Sequence, residues 1–125
     1  MDKKIWWLML GGALGTLARY CLAGYVYRWS GSGFPWGTVV VNVTGCVVAG
    51  TLWGVFEERW VVSPELRTAV MVGFLGAFTT FSTMIVETNE LLRLGQWWAA
   101  VGNLLLQNGL GWLAFWTALT VARQL

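Results

Sequence analysis

Four apolar stretches, residues 5–27, 37–56, 68–92 and 97–121, take up most of this 125-residue chain. Each reaches the roughly 20 residues a helix needs to cross the hydrocarbon of a bilayer. A helix satisfies its backbone N–H and C=O groups internally, which hydrocarbon demands. The chain is therefore expected to be an all-α membrane protein with four transmembrane helices. Composition agrees: 57% of residues are hydrophobic and 11% charged, against roughly a quarter charged in a soluble domain. A chain this short could not hide that much apolar surface in a core of its own. Residues 1–125 read as a single four-helix transmembrane domain, multi-pass in the cell inner or plasma membrane, with lipid as its solvent.

The connectors, 28–36, 57–67 and 93–96, are short and carry turn chemistry such as Ser30-Gly31-Ser32-Gly33, Pro35 and Pro64. Lys3-Lys4 ahead of Ile5-Trp6-Trp7-Leu8 has the outline of a signal peptide. The apolar run continues to spanning length, however, and no small-residue cleavage site follows. Of the ten tryptophans, Trp6, Trp7, Trp29, Trp36, Trp60, Trp97 and Trp98 fall near segment ends, where amphipathic rings prefer the headgroup layer. Lys3, Lys4, Arg59, Arg67 and Arg123 lie on the side of the N-terminus and Arg28 and Arg93 on the other, which favours cytoplasmic termini. No basic run suits nucleic acid. With no His and with Cys21 and Cys46 far apart in apolar segments, a transition-metal site is not expected.

Residues that do not belong in lipid mark the interior. Gly11 and Gly15 form a Gly-x-x-x-Gly pair suited to close helix packing. Arg19 lies well inside the first segment and must pair, reach water, or snorkel; a vestibule that concentrates anions and a simple reach to the interface are both open. Thr38, Asn42 and Gly45 share one face of the second segment. Asn103, Gln107 and Gly111 repeat every four residues on the fourth, either as an interhelical seam or as a ladder of donors. Gly50 and Gly54 form a second close-approach pair.

The third segment carries the sharpest signal: Gly73-Phe74-Leu75-Gly76-Ala77-Phe78-Thr79-Thr80-Phe81-Ser82-Thr83-Met84. Gly73, Gly76 and Ala77 weaken a helix, and four hydroxyls stand ready to satisfy freed backbone groups or a ligand. Such chemistry survives in hydrocarbon only where it is buried in protein or lines a polar cavity. A break there would free carbonyls suited to a cation and N–H groups suited to an anion. Phe78 and Phe81 are expected on one side of that break, where a positive ring edge is a weak anion ligand. Glu87 needs a partner or water.

These motifs, Gly11-Gly12-x-x-Gly15-x-x-x-Arg19-Tyr20, Gly37-Thr38-x-x-x-Asn42 and Gly73-Phe74-x-Gly76-x-x-Thr79-Thr80-Phe81-Ser82-Thr83, resemble the small fluoride-channel family (Fluc, also called CrcB) over essentially the whole chain. The resemblance implies a passive, fluoride-selective channel built as an antiparallel, dual-topology homodimer with a broken third helix. It implies a structural Na⁺ on the two-fold axis, held by the carbonyls of Gly76 and Thr79. Along the fluoride pathway it places Arg19 in a vestibule, Asn42 in the pore, and Phe81 as the first ring of a flanking pair. Thr38, Phe78, Ser82, Thr83, Met84, Asn103 and Gln107 complete the expected pathway. The chain departs from the family in two places. Met84 stands where a second Phe is usual, and Asn103 and Gln107 stand where Tyr and Ser are usual. Two rivals remain: a small proton-coupled multidrug exporter, disfavoured because the first segment has Arg19 and no acid, and a non-conducting membrane scaffold. No residue set suggests a nucleophile, an acid–base pair or a nucleotide cradle, so an enzyme is not expected.

Overall fold

The computed structural model describes residues 2–125. Apart from short connectors and one extended pair they are helical, without strands, and contain four helical stretches long and apolar enough to cross a membrane. Helix α1 spans Lys3–Ser30, α2 Trp36–Glu58 and α6 Trp97–Gln124. The third stretch is composite: α3 (Pro64–Thr68), a π-helical turn (Ala69–Phe74), α4 (Leu75–Phe78), two extended residues, and α5 (Phe81–Arg93). At 1.5 Å per residue the 28-residue α1 and α6 are each about 42 Å long, longer than the hydrocarbon they cross.

Each of the four stretches runs past the apolar limits expected from the sequence at both ends, except that α6 starts at Trp97 as expected. The largest difference is at the third stretch, which starts at Pro64 rather than residue 68. Pro64 was expected to mark a turn, but it occupies the first helical turn, where a missing N–H is harmless. Ser63 caps that turn by accepting from the Leu66 N–H at 3.2 Å. At the far ends of α1 and α5, Gly31 (φ 71°) and Gly95 (φ 72°) take the left-handed backbone that glycine tolerates.

Small residues set the packing. A Cβ on Gly11 or Gly15 would run into the backbone of Ala69 or Phe74, so the Gly-x-x-x-Gly face of α1 lies directly on the π turn. A Cβ on Gly50 would collide with the Phe115 carbonyl, and one on Gly54 would meet Ala122 at 2.9 Å, so the second glycine pair seats α2 on α6. Arg123 closes the same pair of helices at their ends by donating to Glu57 at 2.9 Å. Arg67 lies over the rings of Trp53 and Phe56, 5.6 and 6.0 Å from their centroids.

Candidate functional site

The interruption in the third stretch is local and directional. Thr79 (φ −82°, ψ 158°) and Thr80 (φ −149°, ψ 106°) are extended. Thr80 restarts the chain as the N-cap of α5: its hydroxyl oxygen accepts from the Thr83 N–H at 3.2 Å. In an unbroken helix the N–H of Thr80 would close on the carbonyl of Gly76, and that of Thr83 on the carbonyl of Thr79. Both donors are diverted, the first to Asn42 Oδ1 at 2.8 Å and the second to the Thr80 hydroxyl.

Asn42, on α2, grips the Thr80 peptide from both sides. Its Oδ1 accepts from the Thr80 N–H, and its Nδ2 donates to the Thr80 carbonyl at 3.0 Å. The same Nδ2 donates to Gln107 Oε1 at 2.6 Å. Gln107 Nε2 donates to Asn103 Oδ1 at 2.8 Å, and Asn103 Nδ2 to the Thr88 hydroxyl oxygen at 2.9 Å. Thr88 in turn donates to the Met84 carbonyl at 2.7 Å. Asn103 is fully buried and Gln107 nearly so. The four-residue repeat on α6 is thus one connected polar seam between α2, α5 and α6.

Two cavities lie on either side of the extended pair. The first, about 710 Å³, is lined by Arg19, Arg28, Thr38, Thr80 and Thr83 among others. Its walls hold two guanidinium groups, which attract anions, while the Glu87 carboxylate stands behind the lining residues Thr38 and Tyr27. The second, about 560 Å³, is lined by Gly45, Cys46, Gly76, Thr79, Gln107 and Gly111 among others. The extended pair therefore has Thr80 on one cavity and Thr79 on the other.

The remaining expected site residues are scattered. Thr38 is buried and donates to Glu87 Oε1 at 2.8 Å, and Tyr27 donates to the same oxygen at 3.2 Å. Glu87 Oε2 is buried without a partner among the described residues. Phe78 and Phe81 were expected on one side of the break, and they are not. The extended pair separates them, so Phe78 ends α4, 5% exposed and stacked on Phe74 with ring centroids 5.8 Å apart, while Phe81 begins α5, 71% exposed. Spacing of three describes a shared face only where the helix continues between the two residues. Ser82 is exposed beside Phe81, and Met84 is buried. Tyr27 and Thr88 did not stand out in the sequence. Thr88 is discoverable as the hydroxyl one turn beyond Met84; Tyr27 carries no local signal, because its partner is sixty residues away.

The fold and this seam define a multi-pass, all-helical membrane protein whose interior polarity is carried by amides, hydroxyls and the Glu87 carboxylate. Among the described residues no cluster of three His, Cys, Asp or Glu side chains accompanies them. Residues 6–119 match the family described as "CrcB-like protein, Camphor Resistance (CrcB)". The chain is 54% identical to a protein of Desulforapulum autotrophicum over 123 residues, 98% of both chains. It is 50% identical to one of Nitratidesulfovibrio vulgaris, covering 92% of this chain and 96% of the other. A third relative, from Nitrosococcus oceani, is 44% identical over 98% of both. All three relatives are named fluoride-specific ion channel FluC. The chain belongs to the CrcB-like family.

Proposed function

We propose that this protein is a channel, not an enzyme, and that it lets fluoride leave passively across the membrane with selectivity over chloride. One observation carries the reading beyond the relatives' names. A cavity walled by Arg19 and Arg28 reaches Thr80, whose backbone Asn42 ties to a buried seam of amides. Fluoride is small and strongly hydrated, so it enters a narrow path only where hard donors replace its water. Arg19 gathers the anion in the cavity that Thr38 and Thr83 also line, and Gln107 and Asn103 continue the path.

The conducting form is a homodimer of two antiparallel copies, with the interruption at Thr79 and Thr80 as the functional break of the third span. Phe81 and Ser82 are exposed beside that break, and a Cβ on Gly76 would meet nothing within 4 Å, so this face is open for a second copy. In the dimer Phe81 turns its ring edge toward the pathway of the neighbouring subunit. The same interface suits a structural Na⁺. The carbonyls of Gly76 and Thr79 are among those that lose their helical donors at the break, which fits a hard cation that takes oxygen ligands. Two such carbonyls are few for a cation, and the antiparallel copy contributes two more.

Purified protein in fluoride-loaded liposomes, with a K⁺ ionophore to release the charge, should lose fluoride rapidly while chloride-loaded vesicles stay full. No fluoride loss from a folded dimer would overturn the reading in favour of the scaffold or the proton-coupled exporter. Labelling of Lys3 from outside sealed vesicles should reach about half of the copies; labelling of all or none would refute the antiparallel arrangement.

A further inference from the structure

A third cavity, about 330 Å³, lies at the far end of α1, beside the connector that leads into α2. Ser32, Gly33 and Pro35 of the connector line one side of it, and Glu87, Glu90 and Leu94 the other. Glu90 is exposed and pairs with the exposed Arg93, so this cavity adjoins water at that end of the molecule. The arginine cavity approaches the same place from deeper in the protein. Among the described residues, Tyr27 alone lines both spaces. Opposite charges face it from the two sides, Arg19 and Arg28 in one cavity and Glu87 and Glu90 in the other.

Two contacts fix the Tyr27 side chain as this partition. Gly37, in the first turn of α2, is buried, and a Cβ there would run into the Tyr27 ring. The missing side chain is therefore the seat of the ring. The phenol hydroxyl donates to Glu87 Oε1 at 3.2 Å, beside the 2.8 Å bond from Thr38 to the same oxygen. The seat is close-fitting, while the tether is one long hydrogen bond. The arginine cavity is walled elsewhere by Tyr20, Cys21 and Gly24, in the spanning part of α1. An anion crossing there into hydrocarbon would lose its water without replacement.

We propose, building on the fluoride-channel reading, that Tyr27 is the constriction through which the arginine cavity exchanges fluoride with water at this end, and that its ring limits conduction. The passage is shut while the ring sits on Gly37. It opens when the ring swings off that seat and gives up its bond to Glu87. Thr38 keeps hold of Glu87 in both positions, so the carboxylate does not follow the ring.

The test is the time-averaged fluoride current through full-length protein in planar bilayers. Tyr27→Phe keeps the ring and loses the tether; its current should rise about 10-fold, the low end for one hydrogen bond to a charged group. Tyr27→Ala removes ring and tether together and should raise it at least as far. Gly37→Ala should also raise it, because the new methyl group unseats the ring. The Tyr27→Ala, Gly37→Ala double variant should conduct no better than the better single one, since both remove the same obstruction. A Tyr27 that only packs would lower the unfolding midpoint without raising the current. Unchanged or lower current in folded Tyr27→Ala, or additive gains in the double variant, would overturn the proposal. If Tyr27→Ala does not fold, an unchanged current in Tyr27→Phe overturns it equally. In a Cys21→Ser, Cys46→Ser background, Tyr27→Cys should react with a water-soluble sulfonate thiol reagent. The attached negative group should then suppress the fluoride current until a reductant removes it. No modification of the folded protein, or modification without effect, would refute the constriction. Absence of fluoride current in the wild type refutes the channel, whereas a current indifferent to position 27 refutes only this inference.

Discussion

The two halves of the third span are held in place by opposite means. Upstream of Thr79, the π turn and α4 are fixed by shape: Gly11 and Gly15 of α1 leave room for backbone and nothing more. Downstream of Thr80, α5 is tied by directional bonds from Thr38 and Tyr27 to Glu87, and from Asn103 to Thr88. Shape gives rigid placement without asking for a partner's orientation. Hydrogen bonds give weaker placement but impose a direction, which a pathway for an anion requires. The break is where one regime hands over to the other, and Asn42 spans it.

The largest effect expected from this contrast is at Gly15→Leu. Its Cβ would run into the Phe74 carbonyl, and backbone on both sides cannot yield as a side chain would. The cost should reach the top of the overpacking range, about 3 kcal/mol, seen as a lost or strongly lowered thermal unfolding transition in detergent. Gly76→Leu should act differently, because nothing within its own subunit stands in the way. The subunit should keep its fold while size-exclusion chromatography shows the dimer lost; a stable dimer would remove Gly76 from the proposed interface.

On the polar half, Thr88→Val removes the hydroxyl between Asn103 and Met84. Interhelical hydrogen bonds in membranes average about 0.6 kcal/mol, so a small drop in unfolding midpoint is expected, well below that at Gly15. An equal drop would erase the distinction between the halves. An effect of similar size and opposite sign belongs to Gly12→Ala, next to Gly11 on the same helix but with open space at its Cβ. It should stabilise α1 by up to about 1 kcal/mol through helix propensity, whereas Gly11→Ala should destabilise.

Some of this was legible in the chain. Four apolar stretches fix four helices because hydrocarbon leaves backbone groups few other solutions, and Gly-x-x-x-Gly announces close contact whichever helix supplies the other side. Asn103 and Gln107 declared a polar stripe by their spacing. Phe78 and Phe81 misled because helical periodicity was carried across residues that are not helical. Pro64 misled because a proline that ends one helix and a proline that begins another look alike until Ser63 is seen capping.

The sequence by itself determined the number of spans, their approximate limits, which faces are small and which are polar, and the resemblance that the relatives then confirmed. Those properties depend on neighbours within a turn or two, where 3.6-residue geometry and the apolar solvent leave few alternatives. The tertiary structure alone decided that the π turn receives α1, that Tyr27 and Thr38 share Glu87, and that Asn42 holds both Thr80 and Gln107. Those facts depend on which donor meets which acceptor across tens of residues, and a hydrogen bond's direction belongs to a pair of groups in space rather than to either residue in the chain.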